Sequence, residues 1–235
     1  MRLSALAYGL TCHTAFAAAV GAMGLGLWTG MQSGLGPFQG ALAGVADLTL
    51  LASFPLVHSW MLTDEGRRTI RKLAPAAAGR SLDTTLYVTL TSLHLLAVFA
   101  LWSPLGGPVW QATDRLAMVL ASAYVGGWLL LGVTMTEAGL GAQTGFSGWW
   151  AWLRGQPVRY PSLPTTGLHA ACRHPIYAAF AIVLLAAPTW TFDRIALTLP
   201  WLAYCAFGPL LKEYRLAERH GPAWDQYAAR AWWIA

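Results

Sequence analysis

The densest run of chemically versatile side chains is Arg173-His174-Pro175-Ile176-Tyr177. Proline suits the first turn of a helix, where its missing N–H would go unpaired anyway. A helix is therefore expected to begin at Pro175, with His174 near its N-cap and Tyr177, three residues on, sharing a face with it. The free N–H groups and dipole of that helix start favour an anion, and Arg173 adds a full positive charge. A carboxylate or a phosphate is the ligand such a start would hold. From spacing alone, a plain helix start with an interfacial Arg and Tyr accounts for the run equally well. Glu213, where the last apolar run ends, is the second candidate. A carboxylate at that depth is partly desolvated and needs a partner or a function. Pairing with Arg215 or another basic residue is the simpler of the two.

Ionisable residues also fall within or beside the earlier apolar runs: His13, Asp47, His58 and His94. Such groups mark functional sites by default, and His13, His58 and His94 would suit a haem or a metal ion. No His-x-x-His or Cys/His cluster accompanies them. Hydrogen bonds to neighbouring helices, or pairing with Asp47, are the alternative. Cys12, Cys172 and Cys205 lack the count and spacing of a disulfide framework or a zinc site. Cys12 and Cys205 lie inside apolar runs and read as small core residues.

The elements that must position these residues are membrane helices. Of the 235 residues, 56% are hydrophobic and 11% charged, against about 25% charged in soluble domains. Thirteen Trp and 24 Gly fit interfacial anchoring and close helix approach. A bilayer core of about 30 Å needs about 20 apolar residues per helix. Six segments come near that length: 4–28, 39–62, 82–102, 115–138, 175–191 and 194–211. The first is expected to be a retained helix, since no cleavage site interrupts its apolar run. Lys and Arg crowd the loops after the second and fourth segments and the tail. Only Arg115 and Arg194 fall on the other side, which leaves 13 of the 15 basic residues on one face. By the positive-inside rule both termini are cytoplasmic. This also accounts for the +5 charge without a nucleic-acid surface. GWWAWLR (148–154) has the pattern of a segment lying in the headgroup plane, and the tail is expected to fold back onto the helix ends. The fold class is thus all-α, a single polytopic helix bundle of about six spans with membrane lipids as partners and cytoplasmic amphipathic helices. Gly21-x-x-Gly24 and Gly126-Gly127 would permit oligomers. Topology also sets Glu137, His174 and Glu213 at one membrane level. There, helix N–H groups and Glu213 would hold the two charges of a zwitterion.

RHPIY, about 35 apolar residues, then KEYRLAERHGPAWDQYAAR resembles the C-terminal signature of the integral-membrane methyltransferases. These include the isoprenylcysteine carboxyl methyltransferases and the phospholipid methyltransferases. The matching residues are Arg173 to Tyr177, Glu213, Leu216, Gly221, Trp224 and Tyr227. HSWMLTDEGRR (58–68), RSLDTTLYV (80–88), the run 152–180 and APTWTFDRIAL (187–197) narrow the likeness to the bacterial methanethiol S-methyltransferases. The resemblance implies helices one to three in 1–110 and a cofactor-binding half in 111–235. It implies S-adenosylmethionine as cofactor at the cytoplasmic face of a bacterial inner membrane, and a small lipophilic or thiol substrate. Arg173 and Glu213 would be catalytic. Gln143, His174, Pro175, Tyr177, Glu213 and Tyr227 would bind the cofactor. Three positions depart from the family pattern: Lys212 where a first glutamate stands, Ala179 where a glycine stands, and no arginine in Gly139–Gln143. Two other readings use the same residues. One is a haem- or metal-binding oxidoreductase or isomerase built on His13, His58 and His94. The other is a non-catalytic descendant that binds a lipid or a partner.

Overall fold

The structure, a computed structural model, describes residues 2–232. Its helices are α1 (Arg2–Trp28), α2 (Gly40–Met61), α3 (Asp64–Arg71), α4 (Asp83–Ala100), α5 (Asp114–Glu137) and α6 (Leu140–Gln143). They continue with α7 (Phe146–Arg154), α8 (Leu168–Ala171), α9 (Pro175–Leu185), α10 (Phe192–His220) and α11 (Pro222–Ala228). One antiparallel pair, β1 (Pro108–Gln111) with β2 (Thr189–Thr191), is the only sheet among the described residues. Five helices, α1, α2, α4, α5 and α10, are long and apolar enough to cross a membrane. The protein is an all-α integral membrane protein. The remaining expected segment, 175–191, is helical over only eleven residues, about 16 Å at 1.5 Å per residue. Pro188 brings no N–H to extend it, and the chain turns into β2 instead. Two compact units form: Met1–Gly106 with Leu140–Tyr160, and Gly107–Gly139 with Pro161–Ala235.

In the first unit α1 buries Ala5, Gly9, Cys12, Ala15, Ala19 and Met23. That spacing of three to four makes one face of small residues, against which α4 and α7 pack closely. Gly9 is required for this: a Cβ there would lie 2.5 Å from the Trp149 ring. The Thr85 hydroxyl fastens α7 to α4, donating to the Gly145 carbonyl at 2.7 Å and accepting from the Trp149 N–H at 2.9 Å. Trp149 and Trp152 sink into a core with Ala5, Leu82 and Leu86. Trp150 faces out, stacked on Phe146 and covered by Arg154. The three tryptophans expected in the headgroup plane are therefore divided between the core and the surface. The stretch after α2, expected as a loop, winds into α3. Thr63 caps it by accepting from the Gly66 N–H at 3.1 Å. Arg71, in its last turn, clamps both carboxylate oxygens of Asp83 at the start of α4 with its Nε and Nη2.

The second unit packs α9 between α5 and α10. The last carbonyls of a helix have no partner within it, and α9 ends early in an apolar setting. Arg194, from the first turn of α10, is fully buried, donates to the Leu184 carbonyl at 2.7 Å and lies 5.0 Å from the centre of the Trp190 ring. α10 runs 29 residues through Pro200 and Pro209, about 44 Å, and carries Lys212, Glu213 and Arg215 beyond the expected 194–211. The tail turns at Gly221 into α11, whose Trp224 and Tyr227 pack with Leu163 and Leu216.

Candidate functional site

α9 begins at Pro175 with His174 at its N-cap, as the sequence predicts. The residues before it are held by the returning tail. The Arg173 N–H donates to the Trp232 carbonyl at 2.7 Å, and the Trp232 N–H to the Ala171 carbonyl at 2.8 Å. The Arg173 guanidinium also donates to the Ala228 carbonyl at 2.7 Å. α10 then brings Glu213 against this segment. Its Oε1 lies 2.8 Å from His174 Nε2 and 2.9 Å from Arg173 Nε. The arginine contact is an ion pair whose N–H is not aligned for a hydrogen bond.

His174 is wholly buried. A carboxylate only accepts, so Nε2 carries the proton and Nδ1 presents a lone pair. That buried Nδ1 has no hydrogen-bond partner among the described residues. Burial pushes the imidazole down to about 4, the Glu213 hydrogen bond opposes this, and the Lys212 and Arg173 charges reinforce it. His174 is therefore neutral near pH 7. The Tyr177 ring stands edge-on to it at 5.9 Å, and Lys212 Nζ lies 5.7 Å from the centre of the same tyrosine ring.

A second polar cluster adjoins the first. Glu137 Oε2 accepts from the Leu168 N–H at 3.0 Å and lies 3.2 Å from His169 Nδ1. Gly167 makes this possible with a φ of +60, and a Cβ there would collide with the Glu137 carboxylate. The buried His169 carbonyl accepts from the Tyr227 hydroxyl at 2.7 Å. Burial lowers the His169 imidazole, with Glu137 opposing, and raises the Tyr227 phenol to about 12. Sequence reasoning missed His169. Its signal was the Gly-Leu-His turn ahead of Arg173, which lies outside any apolar repeat.

The structure brings Arg173, His174, Pro175, Tyr177, Glu213 and Tyr227 into one unit, the first five around the start of α9. Gln143 ends α6 in the other unit, with its side chain exposed. The remaining histidines do not converge. His13 accepts from Trp149 Nε1 at 3.0 Å, His58 meets the Tyr87 hydroxyl at 2.9 Å, and His94 meets Ser53 at 2.9 Å. No cluster of three His, Cys, Asp or Glu side chains forms among the described residues. These contacts are the helix-to-helix hydrogen bonds considered above.

Comparison with known proteins points one way. Methanethiol S-methyltransferase 2 of Bradyrhizobium diazoefficiens is 28% identical over 186 residues, 79% of this chain and 70% of that protein. A methanethiol S-methyltransferase of a Pseudomonas species is 27% identical over 96% of this chain and 87% of its own length. That of Pseudomonas deceptionensis is 29% identical over 79% of this chain and 70% of its own. The chain resembles methanethiol S-methyltransferases along most of its length. No family profile matches the sequence, and no solved structure matches it. The likeness to the Pseudomonas protein takes in 96% of the chain, well beyond the RHPIY run and the tail.

Proposed function

We propose that the protein is an S-adenosylmethionine-dependent membrane methyltransferase acting on a small thiol or lipophilic nucleophile of the methanethiol type. The observation that carries this reading is the buried contact of Arg173, His174 and Glu213 at the start of α9. Such a cluster suits a zwitterionic cofactor. The α9 N–H groups and Arg173 favour a carboxylate, Glu213 favours an ammonium, and the unpaired His174 Nδ1 accepts a donor. Bound there, S-adenosylmethionine would supply a methyl carbon activated by its sulfonium.

The chain's own work is alignment and exclusion of water. His174 stays neutral and fixes Glu213. The folded-back tail holds Arg173 through Ala228 and Trp232. Tyr177 closes the site on the α9 side. The crowding of Lys and Arg in the loops on the site's side of the helices supports a cytoplasmic site in a bacterial inner membrane. The test is titration calorimetry of S-adenosylmethionine against purified protein in detergent. Glu213→Ala is expected to weaken binding at least about tenfold, as loss of a charged hydrogen-bond partner does. Unchanged affinity would remove Glu213 from the site. Mass spectrometry of molecules retained on purification should detect the cofactor or its demethylated product.

A further inference from the structure

Lys212 precedes Glu213 on α10 and is half-buried, with its ammonium over the Tyr177 ring. Arg215 follows three residues on, on the same helix face. Glu213, the nearest carboxylate in sequence, has its Oε1 occupied by Arg173 and His174. Among the described residues neither Lys212 nor Arg215 has an ion-pair partner. The charged and titratable groups around Lys212 are His169 on α8, Cys172, Arg173 and His174 before α9, Tyr177 on α9, and Glu213 and Arg215 on its own helix. With His174 neutral, three cations stand against one carboxylate, a surplus of two positive charges. Charge that is partly withdrawn from water and unpaired is costly, so the surplus favours an arriving anion. The π-face of Tyr177 offsets only a small part of it.

We propose that Lys212, backed by Arg215, binds the methyl acceptor as its thiolate. This rests on the methyl-transfer reading and assigns the acceptor's charge state within it. A cysteine thiol titrates near about 8.5 and a plain alkanethiol, lacking cysteine's electron-withdrawing amide groups, higher; a cation within a few ångströms lowers such a value by about 1–3 units. On binding, the S–H bond breaks heterolytically: the electron pair stays on sulfur and the proton leaves to solvent. The thiolate is the nucleophilic form. Arg173, already engaged by Glu213 and Ala228, is left to the cofactor's carboxylate.

The test is calorimetry of methanethiol binding to purified protein saturated with the demethylated cofactor, so that no turnover occurs. Runs in buffers of different ionisation heat count the protons released. Wild type is expected to release a larger fraction of a proton per thiol than Lys212→Met at every pH below the free thiol's own value. Lys212→Met should bind about tenfold more weakly and release almost none, while Lys212→Arg should retain both properties and so report on folding. In turnover, the rise of kcat with pH should move about one unit upward in Lys212→Met and recover in alkali. Proton release and pH profile both unmoved, or a loss confined to cofactor affinity, would overturn the role of Lys212. Absence of any thiol methylation by wild type would instead sink the methyl-transfer reading, and this proposal with it.

Discussion

His174 shows how one residue type takes its character from burial. Its ordinary value is 6.5 and its folded value about 4, so the unfolded chain takes up a proton first as pH falls. Stability is then full above about 6.5 and is lost on acidification towards 4, by about 3 kcal/mol at most. Thermal melts in detergent across that window should show the fall. His174→Asn keeps an N–H for Glu213 and removes the titration, so its melting temperature should be lower at neutral pH but flatter across the window. A variant that follows wild type in parallel would exclude His174 as the source. From sequence, the helix start at Pro175 was readable, since it depends on proline's local chemistry. The shared Glu213 oxygen was not, because 39 residues separate His174 from its partner and the contact exists only once α10 has packed. Spacing alone had left pairing of Glu213 with Arg215 or another basic residue as the simpler expectation. The tail's grip on Arg173 and Ala171 selects Arg173 as that residue by presenting it to α10.

At the scale of elements, the apolar runs marked the long helices well because length and hydropathy are local properties. They failed where tertiary contacts set the ends. α9 stops eleven residues in, and its last turn is completed by Arg194 from α10, a residue that charge counting had placed only on the side opposite the other basic residues. Removing that guanidinium orphans the Leu184 carbonyl and uncovers the Trp190 ring. Arg194→Met should therefore destabilise the protein by about 2 kcal/mol. Denaturant titration in mixed micelles would measure it. Arg194→Lys should recover little, because an ammonium cannot both reach the Leu184 carbonyl and cover the Trp190 ring as the broader guanidinium does. Near-normal stability of Arg194→Met would mean that α9 needs no donor at its end. α3 was missed for a related reason. Its signal was a cap and a charge pattern in eight residues, too short for an apolar repeat, and its packing depends on Arg71 reaching Asp83.

For the whole molecule, the strongest sequence signal was the distribution of charge: 13 of 15 basic residues assigned to one side. That inference needs only the order of the helices. The division into two compact units had no such signature, because residues 140–160 leave their sequence neighbours and join the earlier helices. The same charge order makes a prediction about sidedness. All three native cysteines are buried, which leaves little background for a membrane-impermeant thiol reagent. Arg80→Cys and Arg219→Cys sit at exposed positions in a loop and near the end of α10, and Gly106→Cys sits at an exposed position between α4 and β1. Arg80→Cys and Arg219→Cys should label in inverted vesicles and not in intact spheroplasts, while Gly106→Cys should behave in the opposite way. Labelling of Arg80→Cys and Arg219→Cys from different sides would break the expected topology. It would also remove the reason for placing the Arg173–His174–Glu213 cluster at the cytoplasmic face, where the proposed soluble cofactor would have to reach it.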